Sequence, residues 1–595
     1  MSAVSSAPTA GKTIPVTING IAVEAPENAT ILDAAELAQV RIPTLCRHPD
    51  LPPTAACGIC VVKVKGMDNM IRACCAPLAA GMDIVTQDPE IVQVRRSVLE
   101  LILSNHPNEC LTCARSGECE LQQLSNDFGF NRSNMPKLVA DAAKDDSTRT
   151  LVLDSRKCVH CGRCVTVCQQ MQDVWALCVK HRGIGAVVAP AGDIPLADSP
   201  CVRCGQCSAH CPTGAITVYD QTETVWRALM DPAKRCVAQI APAVRVGVAE
   251  SFGLPAGALV TGKLYSALRR IGFEAVFDTN FGADVTIMEE AAEFIERFIR
   301  GKGALPLITT CCPAWVDFME KHESDMIEHF SSCKSPQAIV GALAKSYGAE
   351  KLGMAPDTVF VASIMPCTAK KYEIRRTREM FSSGRPDIDV AITTRELARM
   401  LRQAGIEFDK LPEEEADSPL GRYTGAGTIF GVTGGVMTAA LRTAHFLAAG
   451  VDLPDDGIEF APLRTLDGVK TFSLDMAGKE VRVAVAHGLR HVREVIDQAR
   501  RAKLAGREPP FHFIEVMACA GGCVGGGGQF WGVTDAKRRE RAAGLMADDR
   551  RCEFRRSHEN PDVKRLYDEY IGKPLGEKAH SLFHTTYIAR KQYKR

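Results

Sequence analysis

The residues best equipped for chemistry in this sequence are its cysteines, and their spacing says which chemistry. KCVHCGRCVTVC and CVRCGQCSAHCP repeat one pattern, C-x2-C-x2-C-x3-C, with Cys158, Cys161, Cys164 and Cys168 in the first run and Cys201, Cys204, Cys207 and Cys211 in the second. Cys46, Cys57, Cys60 and Cys74 follow a looser C-x10-C-x2-C-x13-C pattern, with Cys75 adjacent. His106, Cys110, Cys113 and Cys119 read H-x3-C-x2-C-x5-C. Three further motifs lie far apart: TCCPAW (Cys311, Cys312), MPCTAKKYE (Cys367) and EVMACAGGCVGGGGQ (Cys519, Cys523). Cysteines two or three residues apart bond one another poorly but wrap one inorganic centre well. The 25 cysteines, grouped in this way, point to metal or iron–sulfur ligation in a reducing compartment and not to a secreted disulfide scaffold.

The elements that must position these ligands divide the first part of the chain into three. In residues 14–95, TIPVTINGIAVEAP predicts two strands joined at Asn19-Gly20, and Thr30 predicts the cap of a helix, ILDAAELAQ. This order resembles plant-type ferredoxins, whose first cysteine gap is shorter, and the N-terminal domains of complex I-type subunits. The resemblance implies a [2Fe–2S] cluster on Cys46, Cys57, Cys60 and Cys74, with zinc as the alternative and Cys75 in reserve for Cys74. Residues 96–150 open with a helix, SVLELILSNHP. Ligand type alone would suit a zinc Cys3His site there. The same spacing and neighbours in complex I-type and hydrogenase chains imply a [4Fe–4S] relay cluster on His106, Cys110, Cys113 and Cys119. Residues 151–222 resemble bacterial two-cluster ferredoxins, in which the fourth cysteine of each run serves the other cluster. Cys158, Cys161 and Cys164 would then share a cluster with Cys211, and Cys201, Cys204 and Cys207 with Cys168. The first run lacks the usual proline after Cys168.

Residues 223–595 alternate apolar strands and helices: RVGVAESFG, KLYSALRRIGF, EAVFDTNFGADV, PLITTCC, VFVASIMPC, RVAVAHG. This predicts α/β lobes with the three dispersed motifs at strand ends, where such folds place their sites. The expected fold is multidomain α+β and α/β, ferredoxin-like iron–sulfur domains followed by a two-lobed α/β domain.

The three dispersed motifs resemble the signature segments of the [FeFe]-hydrogenase catalytic domain, and the upstream cluster order resembles the large multi-cluster form of that family. The resemblance runs from about residue 14 to the HENP and LFHTTY segments. It departs at Cys333, at Phe530, in the stretch FWGVTDAKRRERAAG and in the basic tail IARKQYKR. It implies reversible reduction of protons to H2 at an H-cluster, a [4Fe–4S] cube joined through a thiolate to a diiron unit carrying CO, CN⁻ and a bridging dithiolate. Three [4Fe–4S] relay clusters and one [2Fe–2S] cluster would feed it. Cys312, Cys367, Cys519 and Cys523 would hold the cube, with Cys523 as the bridge. Lys370 would donate to one cyanide. Pro242, Ala243, Ser335 and Gln337 would contact the other, and Met365 and Met517 would form soft walls. The glycines after Cys519 would let backbone approach the cluster, turn through positive φ and present N–H groups to its sulfurs. Protons would pass from Cys311 through Glu290, Ser331 and Glu293 to Arg297, the helical members lying at i, i+3 and i+7 of IMEEAAEFIERFI. Glu289 and Glu296 are expected on the solvated face. Cys75, Cys178, Cys236, Cys333 and Cys552 have no assigned role and are expected to be mostly small hydrophobes.

Net charge is zero, so nothing suggests nucleic acid as a partner. No apolar run is long enough to span a membrane, and the N-terminus reads as a polar tail and not a secretory signal, so the expected location is the cytoplasm. The expected partners are H2 and protons, maturation proteins, and either ferredoxin or flavin- and NAD(P)-binding iron–sulfur subunits of a larger complex. GAGTIFGVTGGV is too weak a glycine motif to place a nucleotide on this chain. An H2 sensor and a complex I-type electron carrier without turnover are the alternatives.

Overall fold

A computed structural model of the chain describes residues 12–130, 133–138, 144–382, 384–454, 458, 460–462 and 468–593. The N-terminal tail (residues 1–11) and the last two residues of the basic tail fall outside these.

Thr13–Ile18 and Ile21–Pro26 pair antiparallel around Asn19 and Gly20, both at positive φ (51° and 83°), the backbone that a tight two-residue hairpin needs. Three more strands complete a five-stranded sheet, and Thr30 caps Ile31–Leu37 through a capping box with Asp33. The next helix is Pro89–Asn105, capped by Asp88. It starts earlier than SVLELILSNHP suggests, because Asp88-Pro89 is itself a start signal, so the division expected at 95/96 falls inside a helix. The following ferredoxin-like region carries two small antiparallel pairs, Leu151–Leu153 with Ile216–Val218 and Cys178–Lys180 with Val187–Ala189.

The rest of the chain forms two α/β lobes. One holds a parallel four-stranded sheet in the order Ala275–Asp278, Arg235–Ile240, Val359–Met365, Val390–Thr393. The other holds Leu307–Ile308, Phe513–Met517 and Lys479–His487 in parallel, extended by two antiparallel strands. RVGVAESFG departs from expectation: it lies in 3-10 turns, and the strand precedes it at Arg235–Ile240. Pro242 has no N–H to continue a ladder, and buried Arg245 turns inward to pair with Asp278 at 2.7 Å. The helix Thr279–Phe298 packs between the lobes' cores and carries Glu289, Glu290, Glu293 and Arg297.

Candidate functional site

All 25 cysteines are unpaired, and five groups of ligand-type side chains converge. In the first domain, Cys46 and Cys60 are held below the usual thiol range, Cys46 first by hydrogen bonds from Cys57 and Cys74, Cys60 by one from Cys74. These four sulfurs therefore share one site, and Cys75 is exposed outside it. His106, Cys110, Cys113 and Cys119 line one cavity. The His106 ring contacts Pro107 O through Nδ1 at 3.0 Å and leaves Nε2 buried without a partner, the arrangement of an imidazole ready to bind metal. Cys158, Cys161, Cys164 and Cys211 line a second cavity, and Cys168, Cys201, Cys204 and Cys207 a third. Cys211 thus lies with the first run and Cys168 with the second. Burial lifts the Cys158 and Cys168 thiols to about 11. Such thiols stay protonated alone, and a cationic iron centre is what ionises them.

These sites touch in a branched order. Thr54 Oγ1, from the first domain, donates to Cys161 O at 2.8 Å. The second domain reaches the residue after Cys211: Arg115 and the Glu120 N–H donate to Pro212 O at 3.4 and 3.0 Å. Both outer groups therefore abut the Cys158–Cys211 site. The remaining ferredoxin-like site meets the catalytic lobes, where Thr368 Oγ1 donates to Arg203 O at 2.7 Å and Gln206 Nε2 to Gly525 O at 2.9 Å.

The dispersed motifs meet at strand ends. Cys312 caps the helix Pro313–His322, Cys367 follows the strand ending at Met365, and Cys519 follows the one ending at Met517. Burial raises Cys367 and Cys523 to about 12, with Cys312 the next cause for both, and it raises Cys519 with Cys367 and Cys312 next. The four thiols thus face one another and can hold a four-iron cube. The positive φ expected of the glycines is found at two of them, and the others serve close backbone packing. Positive φ occurs at Gly521 and Gly522 (73° and 95°), where a Cβ on Gly522 would sit 2.8 Å from Met517 Sδ. Gly525 to Gly528 instead allow backbone to meet backbone. A Cβ would lie 2.1 Å from Pro366 O at Gly526, 2.3 Å from Cys204 O at Gly527 and 2.9 Å from the Cys367 nitrogen at Gly528.

Around this centre, Lys370 Nζ donates to Glu373 Oε2 at 2.8 Å and Cys311 O at 3.2 Å. Burial opposes the Lys370 charge, but Glu373 and the Cys367 and Cys311 sulfurs outweigh it, and its pKa is raised. The same Glu373 oxygen accepts from Ser335 Oγ and Gln337 Nε2, each at 2.9 Å. Glu373 is thus the hub that orients three expected site residues, and sequence reasoning missed it although it closes MPCTAKKYE. Pro242 and Ala243 lie in a buried turn held by Ala241 N–H to Ile364 O (3.0 Å) and Gln529 Nε2 to Ala243 O (2.7 Å).

The residues of the expected proton line lie near one another. Cys311 is raised by burial and then by Glu290. Glu290 is fully buried and pushed up to about 8, mainly by desolvation, with Glu293 adding to it. Neither of its oxygens has a well-formed hydrogen bond, though Ser331 and the Thr310 N–H lie near. Ser331 Oγ donates to Glu293 Oε2 at 3.1 Å, and Arg297 Nη2 to Glu293 Oε1 at 2.6 Å. Glu296 bonds Lys302 at the surface. Glu289 contradicts its expected exposure: it is 0 % exposed, and its carboxylate accepts from Tyr567, the Leu575 N–H and His584. The helix is covered on that side by the C-terminal segment, whose burying role its polar sequence concealed. Cys333 is buried in a core beside Glu290, Glu289 and Glu293. Cys236 is buried in a core, while Cys178 and Cys552 are half-buried.

FWGVTDAKRRERAAG is an ordered bridge. Trp531 lies under Arg115 at 4.2 Å and Arg395 at 4.5 Å, and the helix Asp535–Arg551 carries Arg538, paired with Asp50 at 2.8 Å. The basic tail docks through Arg590 on Asp317 and Glu320. Among the described residues, no helix is long and apolar enough to cross a membrane.

Comparison with known proteins agrees with this geometry. Residues 234–527 match the family described as iron only hydrogenase large subunit, C-terminal domain, and 535–590 the iron hydrogenase small subunit. Residues 11–89 match a 2Fe-2S iron-sulfur cluster binding domain, 95–134 the NADH-ubiquinone oxidoreductase-G iron-sulfur binding region, and 198–217 a 4Fe-4S binding domain. The NADP-reducing hydrogenase subunit HndD of Solidesulfovibrio fructosivorans is 44% identical over 97% of this chain and 99% of its own. Iron hydrogenase 1 of Clostridium pasteurianum is 37% identical over 96% and 99%. A solved [FeFe]-hydrogenase from Chlamydomonas reinhardtii is 40% identical, covering 62% of this chain and 98% of its own with a TM-score of 0.55.

Proposed function

The chain belongs to the iron-only, or [FeFe], hydrogenases, and from that premise we propose how its residues carry the reaction and whom it serves. The enzyme interconverts protons, electrons and H2, with iron–sulfur domains feeding an H-cluster domain. Bound there, the H-cluster supplies the iron at which electrons and protons meet. Cys312, Cys367, Cys519 and Cys523 would hold its cube, and Cys523 would also tie the diiron unit to the protein. Lys370, Ser335 and Gln337, oriented by Glu373, and the Pro242-Ala243 turn grip the diiron ligands, while Met365 and Met517 wall the site. The other ligand groups hold one [2Fe–2S] and three [4Fe–4S] clusters.

Cys311 gives and takes the proton at the centre, Glu290 and Ser331 carry it to Glu293, and Arg297 opens toward the surface. The observation that carries this reading is the set of buried neighbours that runs from Cys311 and Glu290 to the hydrogen-bonded Ser331, Glu293 and Arg297, beside four converging thiols. Glu290 suits a relay because burial raises it to about 8, where it holds and releases a proton near neutrality. Cys311→Ser tests it: the CO/CN⁻ infrared bands stay and H2 turnover collapses. Unchanged turnover removes Cys311 from the route.

We place the chain in the cytoplasm as the H2-activating subunit of an NAD(P)-linked assembly whose nucleotide and flavin sites lie on other subunits. The end-to-end similarity to an NADP-reducing hydrogenase subunit and the oxidoreductase-G-like region support this. Purification from its native cells with a flavoprotein, and H2-dependent NADP+ reduction by that preparation, is the expected result. Isolation of a lone chain that reduces only ferredoxin supports the second reading, a free ferredoxin-coupled enzyme.

A further inference from the structure

The segment that buries Glu289 also reaches the proton line. His584 Nε2 lies 3.1 Å from Glu289 Oε2, and His584 Nδ1 lies 2.8 Å from Ser332 Oγ. Ser332 in turn faces Glu293: its N–H donates to Glu293 Oε2 at 3.2 Å, and its hydroxyl lies 3.5 Å from the same oxygen. Backbone pairing fixes this arrangement. Cys333 and His584 form an antiparallel bridge, the Lys334 N–H donates to Phe583 O at 2.7 Å, and the Thr585 N–H to Ser332 O at 2.9 Å. The loop that carries Ser331 and Ser332 is therefore laced to the strand-like segment that carries His584.

Glu289 accepts three hydrogen bonds, from Tyr567, the Leu575 N–H and the imidazole, and as an acceptor it fixes the tautomer. With Nε2–H pointed at Glu289, Nδ1 is the basic nitrogen, and Ser332 is the group placed to protonate it. His580, exposed, lies tilted against His584 with ring centres 4.3 Å apart, so the pair sits one ring from solvent. The ionisable groups facing His584 are Glu289 and Glu293 from the long helix, Cys333 from the loop, Tyr567 from the C-terminal helices and His580 from its own helix.

We propose that His584, backed by Glu289, is a proton-holding side branch of the Glu293 relay, reached through the Ser332 hydroxyl. The transfer is balanced and involves no change of electrons. A protonated Glu293 gives its proton to the Ser332 oxygen while the Ser332 hydroxyl proton passes to His584 Nδ1. Glu293 is left as carboxylate and His584 as an imidazolium beside Glu289. The reverse transfer reloads Glu293. Each H2 involves two protons but the line through Glu290 carries one at a time, so a proton held next to Glu293 shortens the second delivery. His584 and Glu289 are positioning and storage residues, not groups that touch the cluster. The proposal rests on the relay reading of Glu293.

Two variants of the full, loaded enzyme test it. His584→Gln keeps a donor for Glu289 but takes no proton. Ser332→Ala keeps the His584–Glu289 contact and cuts the bridge. Each is expected to slow turnover several-fold, with a wild-type-to-variant ratio that changes with pH, and the double variant is expected to be no slower than the worse single. The protonated carboxyl infrared band of 13C-labelled Glu293 should lose its pH-dependent shift in both. A pH-independent ratio with an unchanged carboxyl band overturns the branch and leaves His584 a staple of the C-terminal segment. If His584→Gln does not fold, Ser332→Ala alone decides between these outcomes. The relay reading fails separately, by full activity in Glu293→Gln.

Discussion

The relay region and the catalytic lobes bind iron with the same side chain but encode it in opposite ways. In the relay, each ferredoxin-like site draws three cysteines from seven consecutive residues, and short turns hold the ligands. In the lobes, four cysteines come from three segments separated by long stretches of chain, and only two complete sheets bring them together. The first kind of site is nearly independent of the fold around it, whereas the second is a consequence of the fold. A ligand lost from the relay should therefore cost one cluster, and a ligand lost from the lobes should cost the reaction.

Cys523→Ala should have the largest effect. On the assignment proposed above, Cys523 ties the diiron unit to the protein, so the CO/CN⁻ infrared bands and H2 turnover should vanish while relay-cluster paramagnetic signals remain. Cys161→Ala should do the reverse, removing one relay signal and sparing the infrared bands. Retained CO/CN⁻ bands in Cys523→Ala would erase the contrast between the two regions.

Glu290→Gln comes next and separates catalysis from stability. Burial raises the folded carboxyl to about 8, while an unfolded one titrates near ~4.3. Between those values the folded state holds a proton that the unfolded state releases, so stability falls as pH rises through the window. The amide escapes that loss. The variant should match the wild type in melting temperature near the acid end of the window and exceed it at the alkaline end. Its turnover should fall by roughly 10²–10⁴-fold, the usual contribution of a positioned acid–base group. Loss of turnover without the alkaline gain in melting temperature would mean that Glu290 is already ionised in the fold.

These two variants also mark where the sequence was legible. The crossing of the relay cysteine runs followed from the resemblance to two-cluster ferredoxins, while the runs themselves were legible from spacing, because thiolate geometry around iron is local. The Asn19-Gly20 hairpin and the Thr30 cap were legible for the same reason. Glu290, Glu293 and Arg297 followed from helical periodicity once family resemblance named them. Glu289 did not, because its burial comes from Tyr567 and His584, nearly 300 residues away. Glu373 was hidden in plain view: helical register says that it neighbours Lys370, and nothing local says that Ser335 and Gln337 converge on it. RVGVAESFG was misread because apolar patterning outweighed Pro242 and buried Arg245, both tied to distant partners.

Glu373→Gln should be smaller than either loss above but larger than any surface change. It leaves Lys370 with a neutral partner and weakens the hold on Ser335 and Gln337. Residues that orient a metal site's immediate contacts typically contribute about 10–100-fold to affinity or activity. The expected signature is shifted CN⁻ stretching bands and partial loss of the diiron unit, with all relay signals intact. Unshifted bands would show that Lys370 and its neighbours are placed by packing alone.

Gly527→Ala should be the mildest and the most specific to the junction between the two regions. Its added Cβ would lie 2.3 Å from Cys204 O and 2.7 Å from the Gly205 backbone, atoms that cannot swing aside as a side chain could. The inner relay site and the catalytic centre must separate slightly, at about 1–3 kcal/mol of overpacking. Both sites stay loaded, so equilibrium spectra should be unchanged. Electron exchange between them should slow, because tunnelling rates fall steeply with distance. Rapid-freeze paramagnetic measurement of relay reduction by H2 reads that step directly. A wild-type rate in a folded Gly527→Ala enzyme would mean that electrons cross elsewhere, with the Thr368–Arg203 contact as the next place to look.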